Sequence, residues 1–308
     1  MSFNIHDLPD SPEDLELFIN RYEAGIKGVK ANARATVVWA DPNHKSKTEY
    51  VLIYLHGFKA SYGEGEPIHR AIAHKFGLNL YLSRLYKHGL DDPDAFSTIE
   101  AQHFTESARQ AFYIGQKLGK KIIIMGTSTG GSLGLYLAGH PSFRHSIAGL
   151  ILYSPLIRFY GLKHMLLATK PGRTLLRLTP GGSYMLTSPS ASEAEEDIWY
   201  SSYRLQGALA LGKFVQEKMT KATFSNVQCP VFAGYYYKNR EQQDKVVSVP
   251  AIKKMFEQLG TEKNKKCLLN FPDAQTHIIS SQLYSASLSK IERQTTLFIQ
   301  SILGLKLL

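Results

Sequence analysis

Cysteine is almost missing from these 308 residues: only Cys229 and Cys267 occur, too few for a disulfide framework or a cysteine-based zinc site. Their ordinary role is that of small core residues. Long apolar runs are missing as well. No stretch approaches the roughly 18 consecutive apolar residues that cross a bilayer, and the opening MSFNIHDLPDSPEDLELF is acidic, without the basic, apolar, small-residue order of a secretory signal. The chain therefore reads as soluble and cytoplasmic. There is no internal repeat and no low-complexity tract, so solenoid and collagen-like architectures drop out.

Acidic residues are the minority, 26 against 36 Lys and Arg, for a formal charge of +10. Such an excess can serve nucleic acid or an anionic surface when it is clustered. Here it is dispersed, and no zinc finger, basic zipper or aromatic RNA-recognition signature gives it a partner. Nucleic-acid binding is not expected. Hydrophobic residues make up 44% of the chain, with 17 Tyr and 15 Phe among them, enough material for one large core carrying an elaboration.

Apolar patterning supplies the architecture. Ser11-Pro12-Glu13-Asp14 is a helix start, followed by Leu15, Phe18, Ile19, Tyr22 and Ile26 on one face. Short apolar runs at 35–40, 50–55, 78–82, 121–125, 148–153, 230–237 and 266–271 then alternate with helical patterns at 100–118, from Thr129, at 248–259 and from Leu288 to Gly304. Continuous apolar strands alternating with helices predict an α/β fold, a mostly parallel sheet covered on both faces. The alternation breaks between Pro155 and Val227. The expected division is thus a first core part over 1–154, a lid or cap insertion over 155–227, and a second core part over 228–308.

In such sheets chemistry gathers at the carboxyl ends of the strands. Directly after the 121–125 strand stands Gly126-Thr127-Ser128-Thr129-Gly130-Gly131. A phosphate loop needs lysine where Ser132 stands, and a dinucleotide fingerprint needs glycine where Ser128 stands. Gly-x-Ser-x-Gly fits at every position, in the strand-to-helix context that a nucleophile elbow requires. A serine hydroxyl needs a base, and the base an orienting acid. The order Ser, acid, His is met by Ser128, Asp244 after the 230–237 strand, and His277 after the strand that ends at Phe271. Glu241 and Asp273 compete for the acid. Asp244 is preferred because Val246 and Val247 can return to the core and point it at the strand end. The oxyanion of the tetrahedral intermediate needs donors, and the Thr129 N–H, at a helix start, and the Phe58 N–H, in His56-Gly57-Phe58 after the 50–55 strand, are the candidates. His56 is expected to brace that loop.

The HGF segment, Arg84-x3-His88-Gly89, the GTSTGG elbow, the QDKVV acid loop and the late histidine together resemble the α/β-hydrolase superfamily, in particular its bacterial carboxylesterase and monoacylglycerol-lipase-like members. The resemblance covers residues 34–155 and 228–303. It implies an eight-stranded mostly parallel sheet, a serine hydrolase without metal or organic cofactor, a small-molecule ester substrate, and a variable lid over the insertion.

Within the insertion, residues 156–178 carry Arg158, Lys163, Lys170, Arg173 and Arg177 with no acid among them. Such a segment is either a lid that touches lipid or, the favoured reading, a cap helix with its apolar side on the core. Trp199 and Tyr203, four apart, are expected to share a helical face. Tyr160, Met165, Leu166 and Trp199 are the candidates for contact with an acyl chain. Hydrolysis of a carboxylic ester with an apolar acyl chain is the leading function. Thioester, amide or carbon–carbon hydrolysis on the same residues, or a receptor that keeps only the pocket, are the alternatives.

Overall fold

The computed structural model describes residues 4–92, 94–161, 169–177, 184–186 and 192–308. Ser11 caps the first helix, α1 (Pro12–Ala24), by accepting the Asp14 N–H at 3.1 Å, a favourable start that proline at the first turn reinforces. The apolar runs become the strands β1 (Thr36–Val38), β2 (Thr48–Leu55), β3 (Asn79–Leu82), β4 (Gly119–Thr127), β5 (Ile147–Tyr153), β8 (Val231–Tyr235) and β9 (Lys266–Asn270) of one sheet, in the order β1-β3-β2-β4-β5-β8-β9. A separate ribbon pairs β6 (Tyr184–Leu186) with β7 (Ser202–Arg204). In the main sheet β1 runs antiparallel to β3 and every other neighbouring pair is parallel. Among the described residues seven strands form this sheet instead of eight. The chain ahead of β1 is committed to the capped helix α1, so β1 closes that side of the sheet.

Alternate residues of each strand point to opposite faces. Val51, Ile53, Leu55, Ile122, Ile124, Leu150 and Leu152 face one core, beneath α1, α3 (Ala101–Leu118) and α4 (Thr129–Gly139). Leu52, Tyr54, Leu80, Ile123, Met125, Ile151 and Phe232 face the other, packed on Ile68 and Ile72 of α2 (Ile68–Lys75) and on Ile291, Phe298 and Ile299 of the last helix (Leu288–Ser301). Burial on both faces is why these strands read as unbroken apolar runs. Helix α2 had no counterpart in the sequence reading: its eight residues hold two histidines, an arginine and a lysine, and tertiary packing of Ile68 and Ile72 sustains it.

Between β5 and β8 the described chain forms α5 (Lys170–Arg177), α6 (Glu193–Ile198), α7 (Leu205–Lys218) and α8 (Lys221–Asn226) beside the ribbon. Trp199 and Tyr203 do not share a helical face. Helix α6 ends at Ile198, Trp199 is already extended (φ −119°, ψ 154°), and Tyr203 lies in β7 opposite Met185. A run of acids, Glu193 to Asp197, suits the first turn of a short helix better than its continuation. Arg173 is not part of an exposed basic face: it is buried, with Nη2 donating to Gln216 Oε1 of α7 at 2.9 Å. Among the described residues no helix is long and apolar enough to cross a membrane.

Candidate active site

Strand β4 turns into α4 through Ser128, whose backbone is forced to φ 53° and ψ −115°, a region that a side-chain-bearing residue enters only under constraint. Two glycines impose it. A Cβ on Gly130 would lie 1.8 Å from Leu55 O, and one on Gly126 would lie 2.4 Å from the Gly130 carbonyl carbon. With no side chains in the way, β4, α4 and the end of β2 pass close together and Ser128 is held at the tip. The Ser128 N–H donates to Tyr153 O of β5 at 2.9 Å and its carbonyl accepts the Leu156 N–H at 3.0 Å, fixing the turn from both sides. Thr129 opens α4, so its N–H belongs to the positive end of the helix dipole.

After β8 the chain makes a small excursion in which Lys238 N–H bonds Gln242 O at 2.8 Å and Tyr237 bridges Gln243, then returns with the Asp244 N–H on Tyr236 O at 3.2 Å. That excursion explains how an acid ten positions beyond Gly234 still reaches the sheet end. Asp244 is 1% exposed. Its Oδ1 accepts the Val246 and Val247 N–H groups at 2.8 and 3.0 Å, and its Oδ2 meets His277 Nδ1 at 2.6 Å. Burial raises the Asp244 carboxyl, but the His277 charge and these hydrogen bonds outweigh it and hold it below the ordinary value. For His277 burial pulls down, while the Asp244 and Glu64 carboxylates more than offset this and lift it above the ordinary 6.5. Glu241 and Asp273, the competing acids, are exposed. Among the described residues no hydrogen bond links Ser128 Oγ to His277, a contact that in free enzymes often forms only with substrate in place.

The loop after β2 is braced as expected of His56. Its Nε2 accepts the Leu85 N–H at 3.0 Å, so the proton sits on Nδ1, which donates to Gly57 O at 2.8 Å. Burial pushes this imidazole down to about 4 and keeps it neutral. The Phe58 ring stacks on Phe96 at 5.1 Å and meets the edge of Tyr203 at 5.1 Å. The Gly57 N–H is taken by the Glu64 carboxylate, which leaves the Phe58 N–H as the loop's candidate oxyanion donor.

Glu64 is the residue that sequence reasoning missed. It is 2% exposed on the short turn Tyr62–Gly65, and burial pushes its carboxyl up to about 7 against the pull of the Gly57 N–H, the His277 charge, Trp199 and Tyr54. Nothing in Tyr-Gly-Glu-Gly-Glu distinguishes Glu64 from Glu66 beforehand; only the fold turns one inward. Of the acyl-contact candidates, Trp199 is buried with its ring 5.5 Å from Tyr284. Tyr160 is half-buried and its N–H bonds Val246 O at 3.0 Å, two residues past Asp244. Met165 and Leu166 lie outside the described residues. A cavity of about 750 Å³ lined by Phe18, Tyr22, Glu23, Arg84 and Tyr86 opens elsewhere, and none of the site residues lines it.

Comparison with solved structures identifies the architecture. A structure from the work on LipS and LipT, two metagenome-derived lipolytic enzymes, superposes with a TM-score of 0.68 at 18% identity, over 89% of this chain and 99% of its own. The chain has the α/β-hydrolase fold. A soluble variant of monoglyceride lipase from Saccharomyces cerevisiae, bound to a substrate analogue, is similar at TM-score 0.62 and 16% identity over 87% of this chain and 90% of its own. Est1E from Butyrivibrio proteoclasticus, bound to ferulic acid, is similar at TM-score 0.58 and 17% identity over 88% and 95%. Neither a protein-family model nor a curated protein matches the chain. In this hydrolase fold the elbow, the acid loop and the histidine loop all stand at the carboxyl ends of parallel strands, β4, β8 and β9.

Proposed function

We propose that the protein is a serine hydrolase that cleaves carboxylic esters with apolar acyl chains through an acyl-serine intermediate. The observation that carries this reading is the 2.6 Å hydrogen bond between buried Asp244 and half-buried His277 in a fold that presents Ser128 on a strained strand-to-helix turn. Ser128 Oγ attacks the ester carbonyl carbon while its proton passes to His277 Nε2. Asp244 keeps the Nδ1 proton in place and stabilises the imidazolium. The Phe58 and Thr129 N–H groups receive the oxyanion, which a pair of fixed dipoles favours without reorganisation. Collapse breaks the C–O bond, and the leaving alkoxide takes the proton from His277. Water then gives a proton to the same nitrogen, attacks the acyl carbon, and releases the acid as Ser128 recovers its hydrogen. Every proton is carried by the chain's own groups, so the cycle calls for no cofactor.

The ester class is supported by the similar structures, which are lipolytic and esterase proteins. In this reading residues 155–227 are a cap over the core formed by 1–154 and 228–308, and Tyr160, Met165, Leu166 and Trp199 line the acyl side of a small-molecule site. A fluorophosphonate probe tests the central claim, since covalent labelling requires an activated serine. Labelling lost in Ser128→Ala with the fold retained supports it. Labelling that persists in that variant removes Ser128 from the role. A panel of p-nitrophenyl esters from acetate to palmitate, with monoacylglycerols, thioesters and amides of matched acyl length, then separates ester hydrolysis from its alternatives.

A further inference from the structure

A buried carboxyl must be held by donors or it is costly, and the donors that hold Glu64 belong to three different parts of the site. The Gly57 N–H and, at 3.4 Å, the Tyr54 hydroxyl donate to Oε1, and Trp199, from the segment between β5 and β8, pulls the carboxyl toward its charged form. Gly57 leaves no room for a side chain here: a Cβ on it would lie 3.1 Å from both Glu64 oxygens and 3.4 Å from Ser128 Cβ. Tyr54 Oη continues to Thr127 Oγ1 at 3.0 Å and Thr127 to Ser280 Oγ at 3.3 Å. One polar chain thus runs from the residue before Phe58, beneath the residue before Ser128, to the third residue after His277.

The same loop is clasped from the cap. The Tyr200 N–H donates to Lys59 O at 2.9 Å, Lys59 Nζ reaches back to Tyr200 O at 3.4 Å, and a Cβ on Gly63 would meet Ile198 at 3.0 Å. We propose that Glu64 is a positioning residue of the active site, whose carboxyl, held between the Gly57 N–H and Trp199, fixes the loop so that the Phe58 N–H faces the reacting carbonyl. This rests on the serine-hydrolase reading.

The test compares Glu64→Gln, which keeps an acceptor for the Gly57 N–H, with Glu64→Leu, which removes it. Concentrations are set by fluorophosphonate active-site titration, so misfolded protein does not count. Glu64→Leu is expected to lower kcat by about tenfold to a hundredfold, the range for a misplaced catalytic group, with KM within about threefold. Its affinity for a trifluoromethyl ketone, which presents an oxyanion to the hole, falls in step, and Glu64→Gln recovers most of both. Trp199→Phe, which keeps the ring and loses the N–H, gives a smaller kcat loss of the same kind and serves if Glu64→Leu does not fold. Wild-type kcat in Glu64→Leu or Trp199→Phe per titrated site, or a kcat loss with the ketone affinity unchanged, overturns the proposal. A wild-type protein that takes no fluorophosphonate at all overturns the hydrolase reading instead, and this inference with it.

Discussion

The Asp244 carboxylate divides its two oxygens between its own loop and His277: Oδ1 holds the Val246 and Val247 N–H groups at 2.8 and 3.0 Å, while Oδ2 meets His277 Nδ1 at 2.6 Å. The first pair fixes the direction of the second contact, since a carboxylate tied at one oxygen cannot rotate away from the imidazole.

Asp244→Asn should therefore be severe. An amide can still accept the Val246 and Val247 N–H groups, but it then turns an NH₂ toward His277 Nδ1, which favours the wrong tautomer of the base. A loss of about three to four orders of magnitude in kcat is expected, measured on a short p-nitrophenyl ester. Glu241→Gln, on an exposed loop position, should stay within about twofold. The opposite ranking would transfer the acid role to Glu241.

The pH profile follows from the same pair. His277 must be neutral to act as a base, and the Asp244 and Glu64 carboxylates raise it above the ordinary 6.5 despite its burial. Activity should thus rise with pH, and the acid limb of kcat/KM should lie above that of a free histidine. Removing the Asp244 charge takes away the larger of the two raising influences, so residual activity in Asp244→Asn should show its limb at lower pH. A profile flat from pH 5 to 9, or a limb that does not move, contradicts a His277 base.

The fold was largely legible because its strands are buried on both faces: an apolar run such as Ile122 to Met125 carries its own signal, and Gly-x-Ser-x-Gly after it names the turn. Chain order narrowed the acid to Asp244, Glu241 and Asp273, and the return of the chain to the core after Asp244 was the ground for preferring it. Helix α2 was not legible, since its short polar sequence is held by Ile68 and Ile72 against the sheet. Glu64 was not legible for a related reason. An acid in a Gly-rich turn is ordinarily solvated, and only the crossing of that turn with Gly57 and Trp199 buries it. Trp199 and Tyr203 misled because a four-residue step implies a helical face only where the helix continues, and α6 stops before Trp199.

Buried histidines give the protein an acid-sensitive stability that is separate from catalysis. His69 is buried, and burial pushes it down to about 4. The unfolded chain binds a proton below about 6.5, while the folded one refuses it until about pH 4. Stability from this group is therefore present above pH 6.5 and lost as pH falls toward 4. His56 behaves alike, whereas Glu64, raised to about 7, works in the opposite sense. The clean measurement is a difference: Tm of His69→Gln should fall less than wild type between pH 6.5 and 4.5, and an identical fall in both would show that His69 takes no part.

The acyl side offers a prediction in which two roles of one residue can be separated. Each methylene buried in an apolar site contributes about 0.8 kcal/mol, so kcat/KM should rise about threefold to fourfold per added carbon until the chain outgrows the pocket. If the Trp199 ring walls that pocket, Trp199→Ala should flatten the rise, penalising octanoate more than acetate. Its proposed hold on Glu64 contributes differently, because an oxyanion loop out of place slows every ester by the same factor whatever its chain. Trp199→Phe keeps an aromatic wall and loses the N–H, so it should show the uniform loss without the flattening, while Tyr160→Ala should show the flattening without the uniform loss. A uniform loss in Trp199→Ala that matches Trp199→Phe at every chain length would mean that the ring touches no acyl chain, and that this tryptophan serves the site through Glu64 alone.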